Sequence, residues 1–202
     1  MGHLNPRLDR SRLQETLVTV LDHTLSLYPA PRSVWTQYRL VGTGAALLHG
    51  VQLPAGDVDL LVKERSDVDA FGTALSPFKC LEPATWLPEA RQYYANYEVN
   101  GIEVGISTVE VETDSDLIET YGPGPWERHY VLLPCGTYSI PTVALELRLI
   151  TELYRDRPER YKPIIQYLHA HGCDLDLVRR GLAVGRLPRA VQENVLTQLR
   201  GS

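Results

Sequence analysis

The stretch from Tyr38 to Val62, YRLVGTGAALLHGVQLPAGDVDLLV, leaves the chain few ways to fold. Tyr38-Arg39-Leu40-Val41 has the make-up of a short buried strand, and Gly42-Thr43-Gly44 reads as a tight turn. Ala45 to His49 is apolar enough for a short helix packed on a sheet. Gly50 to Gly56 carries Pro54 between glycines and reads as loop, and Asp57 to Val62 reads as a second strand. Side chains alternate along a strand, so Asp57 and Asp59 are expected on one face. Two carboxylates that close repel each other unless positive charge sits between them. The usual partner for paired oxygen ligands is a hard cation such as Mg²⁺.

The remaining sequence is read for whether it completes such a site. At 202 residues the chain is long enough for one domain with a subdomain, or two small ones. A net charge of -5 gives no global attraction to nucleic acid or anionic membrane, although arginines cluster at 148–160 and 179–189. Cys80, Cys135 and Cys173 are far apart with no CxxC pair, which argues against a disulfide framework or zinc ribbon and suits a reducing cytoplasm. The start, MGHLNPRLDR, lacks the apolar segment of a signal peptide, and no run is long enough to span a bilayer. A cytoplasmic protein without membrane contact is therefore expected.

Apolar positions at Leu13, Leu17, Val20, Leu21, Leu25 and Tyr28 predict a helix over 9–28, capped near Asp9 and Ser11 and stopped by Pro29-Ala30-Pro31. Ser66 is the expected cap of a helix to about Leu75. Pro83 and Pro88 break the stretch from Pro77 to Asn96, and Glu89 to Tyr97 fits either a short helix or a strand. Tyr97 to Thr108 alternates as a strand interrupted at Asn100-Gly101, a strong hairpin signal. Tyr121 to Pro125 reads as loop and His129 to Leu133 as a further strand. After Pro141 helical spacing takes over, with helices expected over 143–154, 161–171, 174–183 and 188–199. The expected architecture is α/β (α+β): a mixed sheet with flanking helices over 1–140 and a helical subdomain over 141–202.

The order of strand, glycine turn, helix, loop and DxD strand resembles the nucleotidyltransferase superfamily that includes DNA polymerase beta and the aminoglycoside nucleotidyltransferases. The likeness is carried by Val41-Gly42-Thr43, by Ala45-Ala46-Leu47-Leu48-His49-Gly50, and by Asp57-Val58-Asp59-Leu60. It is strongest over 38–62 and looser to about 171, and it points to the small bacterial branch that contains abortive-infection toxins. The resemblance implies transfer of a nucleoside monophosphate from an NTP to an acceptor hydroxyl on a small molecule, a protein or an RNA such as tRNA. It assigns Gly42, Thr43 and Gly44 to the triphosphate and Asp57 and Asp59 to Mg²⁺. It also raises an antitoxin as a partner.

The resemblance expects a third carboxylate on a neighbouring strand, for a second metal and for deprotonating the acceptor. Simple alignment puts Gly105 at that position, and Glu103 shares its face, which makes Glu103 the candidate third acid. Leu53 and Ala55 stand where the small branch often has Arg and Thr. These departures leave a second reading open, a catalytically silent nucleotide-binding or interaction protein on the same fold. His49 reads as structural, Arg157 and Arg160 as an interhelical surface or a phosphate contact, and Trp86, Tyr93, Tyr94 and Tyr97 as packing. No Walker loop, catalytic triad or Cys/His metal spacing competes with the DxD site.

Overall fold

The computed structural model describes residues 8–27, 38–111, 115, 117 and 128–200. The elements in order are α1 (Arg10–Leu27), β1 (Tyr38–Val41), α2 (Gly42–His49), β2 (Asp57–Val62), α3 (Arg65–Ala74), β3 (Lys79–Leu87), β4 (Gln92–Val99) and β5 (Ile102–Ser107). They continue with β6 (Tyr130–Cys135), β7 (Tyr138–Val143), α4 (Leu145–Tyr154), α5 (Pro158–His171), α6 (Leu175–Val184) and α7 (Arg189–Arg200). The expected stop at Pro29 to Pro31 and the loop at Tyr121 to Pro125 lie outside the described residues.

All seven strands form one mixed sheet in the order β3-β4-β5-β2-β1-β7-β6. β2 lies antiparallel to β1 and parallel to β5, which places the DxD strand near the middle. Alternation then sorts the side chains into two faces. Leu40, Val58, Leu60, Val104, Ile106, Ala95, Tyr97 and Val99 are buried and share the apolar core with α1, α2 and α3. Asp57, Asp59, Glu103, Gly105, Tyr94, Asn96 and Glu98 fall on the opposite face by register.

Several local expectations shift. The turn after β1 is tighter than three residues, because α2 already begins at Gly42. Glu64, not Ser66, caps α3, and its backbone N–H donates to Asp67 Oδ2 at 3.0 Å. The stretch broken by Pro83 and Pro88 contains an edge strand, β3, whose register shifts between Cys80 and Glu82 and again between Glu82 and Thr85. Edge strands tolerate proline and bulges because one side of the ladder needs no partner. Pro141 lies inside β7, an inner strand between β1 and β6, so strand structure runs to Val143 before the helices begin.

Leu53 and Ala55 are buried, and Leu8 N–H donates to Ala55 O at 3.0 Å. The positions where a polar pair was expected therefore close the core beside an N-terminal bridge. Among the described residues, no helix is long and apolar enough to cross a membrane.

Candidate active site

Gly42 sets the geometry. Its φ of +66° lies in the left-handed region, and a Cβ there would collide with Asp59 Oδ2 and stand 3.0 Å from Asp59 Cγ. Only glycine combines that dihedral with such a close carboxylate. Val41 pairs with Asp59 across the β1–β2 ladder, which explains how the acid reaches the start of α2. Val41 is also the N-cap of α2 and offers no side-chain acceptor to the first-turn N–H groups.

The three expected acids share a face. Asp57 stands directly opposite Glu103, and Asp59 stands opposite Gly105. Asp57 is exposed, whereas Asp59 and Glu103 are half-buried. Among the described residues, no three His, Cys, Asp or Glu side chains gather tightly enough to form a ready-made metal cluster. The donor set fits a hard cation nonetheless, since Asp57 and Asp59 supply anionic oxygens on one face and phosphate or water would complete the shell. Asp59 lies over a cradle at Gly42 that a Cβ would fill.

The other two turn residues are placed differently. Thr43 is only 3 % exposed. Gly44 is buried too, and a Cβ there would face Leu13 Cδ1 at 3.5 Å and Leu40 Cδ1 at 3.7 Å. These are ordinary van der Waals distances, so Gly44 lies on the core side of α2. Of the two glycines, Gly42 alone has its Cβ position against an acid side chain.

The aromatic cluster divides with the period of β4. Tyr97 is buried on the core face, and Tyr93 Oη donates to Asp69 on α3 at 3.0 Å. Trp86 and Tyr93 flank Arg65, whose guanidinium lies 4.5 Å and 5.5 Å from their ring centres and grips Glu110 with two hydrogen bonds. Tyr94 alone turns to the acids. Its Cε2 is 3.1 Å from the position a Cβ would take on Gly105. Burial pushes its phenol up to about 12, with the negative charges of Asp59, Glu82, Glu103 and Asp57 acting in the same direction. Tyr93 and Tyr97 thus pack on one side of β4 and Tyr94 on the other, the side its even spacing with Asn96 and Glu98 indicates.

Arg39, also passed over by sequence, lies on the same face of β1 with its guanidinium 3.9 Å from the Tyr130 ring centre. His49 is structural: its Nε2 is 2.9 Å from Val143 O, and its own carbonyl accepts from Tyr167 Oη at 2.7 Å. A carbonyl only accepts, so Nε2 carries the proton. Arg160 reaches Glu152 at 3.6 Å, which places it between helices rather than at the acids.

No protein-family model matches the chain, and no curated protein matches it. Solved structures do. A Thermotoga maritima protein assigned as a nucleotidyltransferase superposes with a TM-score of 0.54 at 16 % identity, covering 84 % of this chain and all of the other. An antigenic nucleotidyltransferase-like protein from Paracoccidioides brasiliensis superposes with a TM-score of 0.51 at 14 % identity, covering 95 % of this chain and 94 % of the other. The fold is that of the nucleotidyltransferases.

Proposed function

We propose that this protein is a Mg²⁺-dependent nucleotidyltransferase that moves a nucleoside monophosphate from an NTP to an acceptor hydroxyl. The observation that carries the reading is the juxtaposition of Asp57, Asp59 and Glu103 on one face, with the Asp59 carboxylate seated on Gly42 at the start of α2. Asp57 and Asp59 would hold the cation. When bound, that ion would neutralise the triphosphate and orient it for in-line displacement. The chain's own groups account for the rest. First-turn N–H groups of α2 meet phosphate oxygens, as helix N-termini do. Glu103, opposite Asp57, accepts the acceptor hydroxyl's proton as the new O–P bond forms and pyrophosphate leaves. It is also the third protein ligand if a second ion binds.

The acidity of this face bears on the acceptor. Asp57, Asp59, Glu82 and Glu103 repel a phosphodiester backbone, so a hydroxyl on a small molecule or protein fits better than one on tRNA. A toxin role with an antitoxin partner is carried by the family resemblance alone, and growth arrest on expression that Asp57→Asn relieves would support it.

The test is incubation with each α-³²P-labelled NTP and Mg²⁺, followed by a search for label on the protein, on added RNA and on small-molecule acceptors. Replacing both Asp57 and Asp59 by Asn should abolish transfer and weaken metal-dependent NTP binding by roughly 10- to 100-fold. Binding and transfer that survive the double replacement would sink the proposal. Gly105 opposite Asp59 favours one rival, a nucleotide-binding protein without transfer. That rival predicts Mg²⁺-dependent NTP binding with no label moved.

A further inference from the structure

The third-acid position is not vacant in this fold; an aromatic side chain from the next strand fills it. Gly105 stands beside Asp59 in the β2–β5 register, and β5 pairs with β4 so that Asn96 faces Gly105 and Tyr94 faces Ser107. The Tyr94 ring leans over Gly105, with Cε2 at 3.1 Å and Oη at 3.6 Å from the position of a Cβ there. Asp59 Oδ1 is 3.6 Å from that same point. The phenol oxygen and the carboxylate therefore lie no more than twice that distance apart. A Cβ added at 105 would press on the ring, which lies tighter than ordinary van der Waals contact.

A two-cation site needs an acid shared near Asp59, with the ions about 4 Å apart. The carboxylate nearest in register, Glu103, sits opposite Asp57, two residues back along the strand. The phenol lies over Gly105 on the Asp59 side of that residue, and the negative charges of Asp59, Glu82, Glu103 and Asp57 all act on it. A neutral phenol O–H is a donor, so beside Asp59 it offers the site a hydrogen bond where a third carboxylate would offer only acceptors.

Building on the nucleotidyl-transfer reading, we propose that Tyr94 takes the place of the second cation, so that the site holds a single metal ion and the phenol O–H donates a hydrogen bond to the bound triphosphate. Tyr94 is then a substrate-positioning residue, and Glu103 serves the acceptor's proton rather than a metal.

The test counts Mn²⁺ bound to the full chain by electron paramagnetic resonance, with each of the four α,β-methylene NTP analogues at saturation. One protein-bound Mn²⁺ is expected in the wild type. Tyr94→Phe keeps the ring and should keep that count while weakening analogue binding about tenfold, the loss of one hydrogen bond to a charged group. Tyr94→Ala empties the space and should admit a second Mn²⁺. Two ions in the wild type would overturn the proposal. So would unchanged analogue affinity in Tyr94→Phe, or a count that stays at one in a folded Tyr94→Ala. Should Tyr94→Ala fail to fold by circular dichroism, the wild-type count and the Tyr94→Phe affinity still decide. No Mn²⁺ retained with any analogue would remove the nucleotidyl-transfer reading itself, a result distinct from retention of two.

Discussion

Gly42 and His49 bracket α2, and each is tied to its place by a different force. Gly42 owes its role to a missing side chain. In Gly42→Ala the new methyl would have to displace the Asp59 carboxylate and hold φ near +66°. A loss of about 1–3 kcal/mol in urea unfolding is expected from the dihedral alone, together with weaker Mn²⁺-dependent NTP binding. His49 is governed by burial, which lowers its basicity below the ordinary value of 6.5 in spite of the Val143 carbonyl beside it. The unfolded chain therefore binds a proton that the folded chain resists. Stability contributed by neutral His49 is present above 6.5 and falls as pH drops below it, levelling off beneath the folded-state value. Urea midpoints compared at pH 7.5 and pH 5 should show a smaller acid-induced drop in His49→Asn than in the wild type. An equal drop in both proteins would assign the acid sensitivity elsewhere.

Among the elements, the β4–β5 hairpin does most to build the site, because it brings Glu103, Gly105 and Tyr94 to β2. Its turn has Asn100 at φ 54° and Gly101 at φ 73°, the paired left-handed residues that a two-residue hairpin favours. Asn100 Nδ2 also donates to Thr19 Oγ1 of α1 at 3.0 Å, fastening the hairpin to the helix layer. In Gly101→Ala the nearest atom to the added methyl is Arg12 Nη2 at 4.0 Å, so space is ample and only the dihedral resists. The cost should be about 1 kcal/mol, read as a fall of roughly 2–4 °C in thermal midpoint for a chain of this size. This turn could be read from Asn-Gly between alternating apolar residues. The neighbouring β3 could not, because its prolines and two register shifts erase the local pattern, and only pairing with β4 holds it extended. The helices α1, α5, α6 and α7 stood close to their expected bounds, since apolar residues recurring every three to four positions mark a buried stripe without reference to the remaining chain.

At the scale of the molecule, the helices after β7 share one apolar core with the sheet. α4 packs on α2, and Tyr167 of α5 reaches the His49 carbonyl, so the helical portion braces the element that begins at Gly42. Within α4, Arg148 and Glu152 form an ion pair with both side chains almost fully buried, and Arg160 of α5 adds a longer contact to Glu152. Removing one partner of a buried pair costs more than the pair contributes, because the other charge keeps its desolvation penalty. Glu152→Ala should lose about 3–5 kcal/mol in urea unfolding, while Arg148→Met with Glu152→Leu should recover most of it. A mild effect of Glu152→Ala would show that water reaches the pair.

What the sequence determined by itself is local. The period of two places Asp57 and Asp59 on one face, the glycines at 42 and 44 mark a tight turn after β1, and the helical periodicity after Pro141 announces four helices. These follow from dihedrals and from side-chain direction within a few residues. The partners across strands belong to the tertiary structure. The pairing of Asp57 with Glu103 and of Asp59 with Gly105, and the lean of Tyr94 over that glycine, depend on register between strands distant in sequence. A one-residue slip would send each of these side chains to the opposite face, and only burial of the apolar face fixes the register. The same packing buried Thr43 and Gly44 and laid the Tyr94 ring over Gly105, because which residues the core covers is settled only when the layers meet.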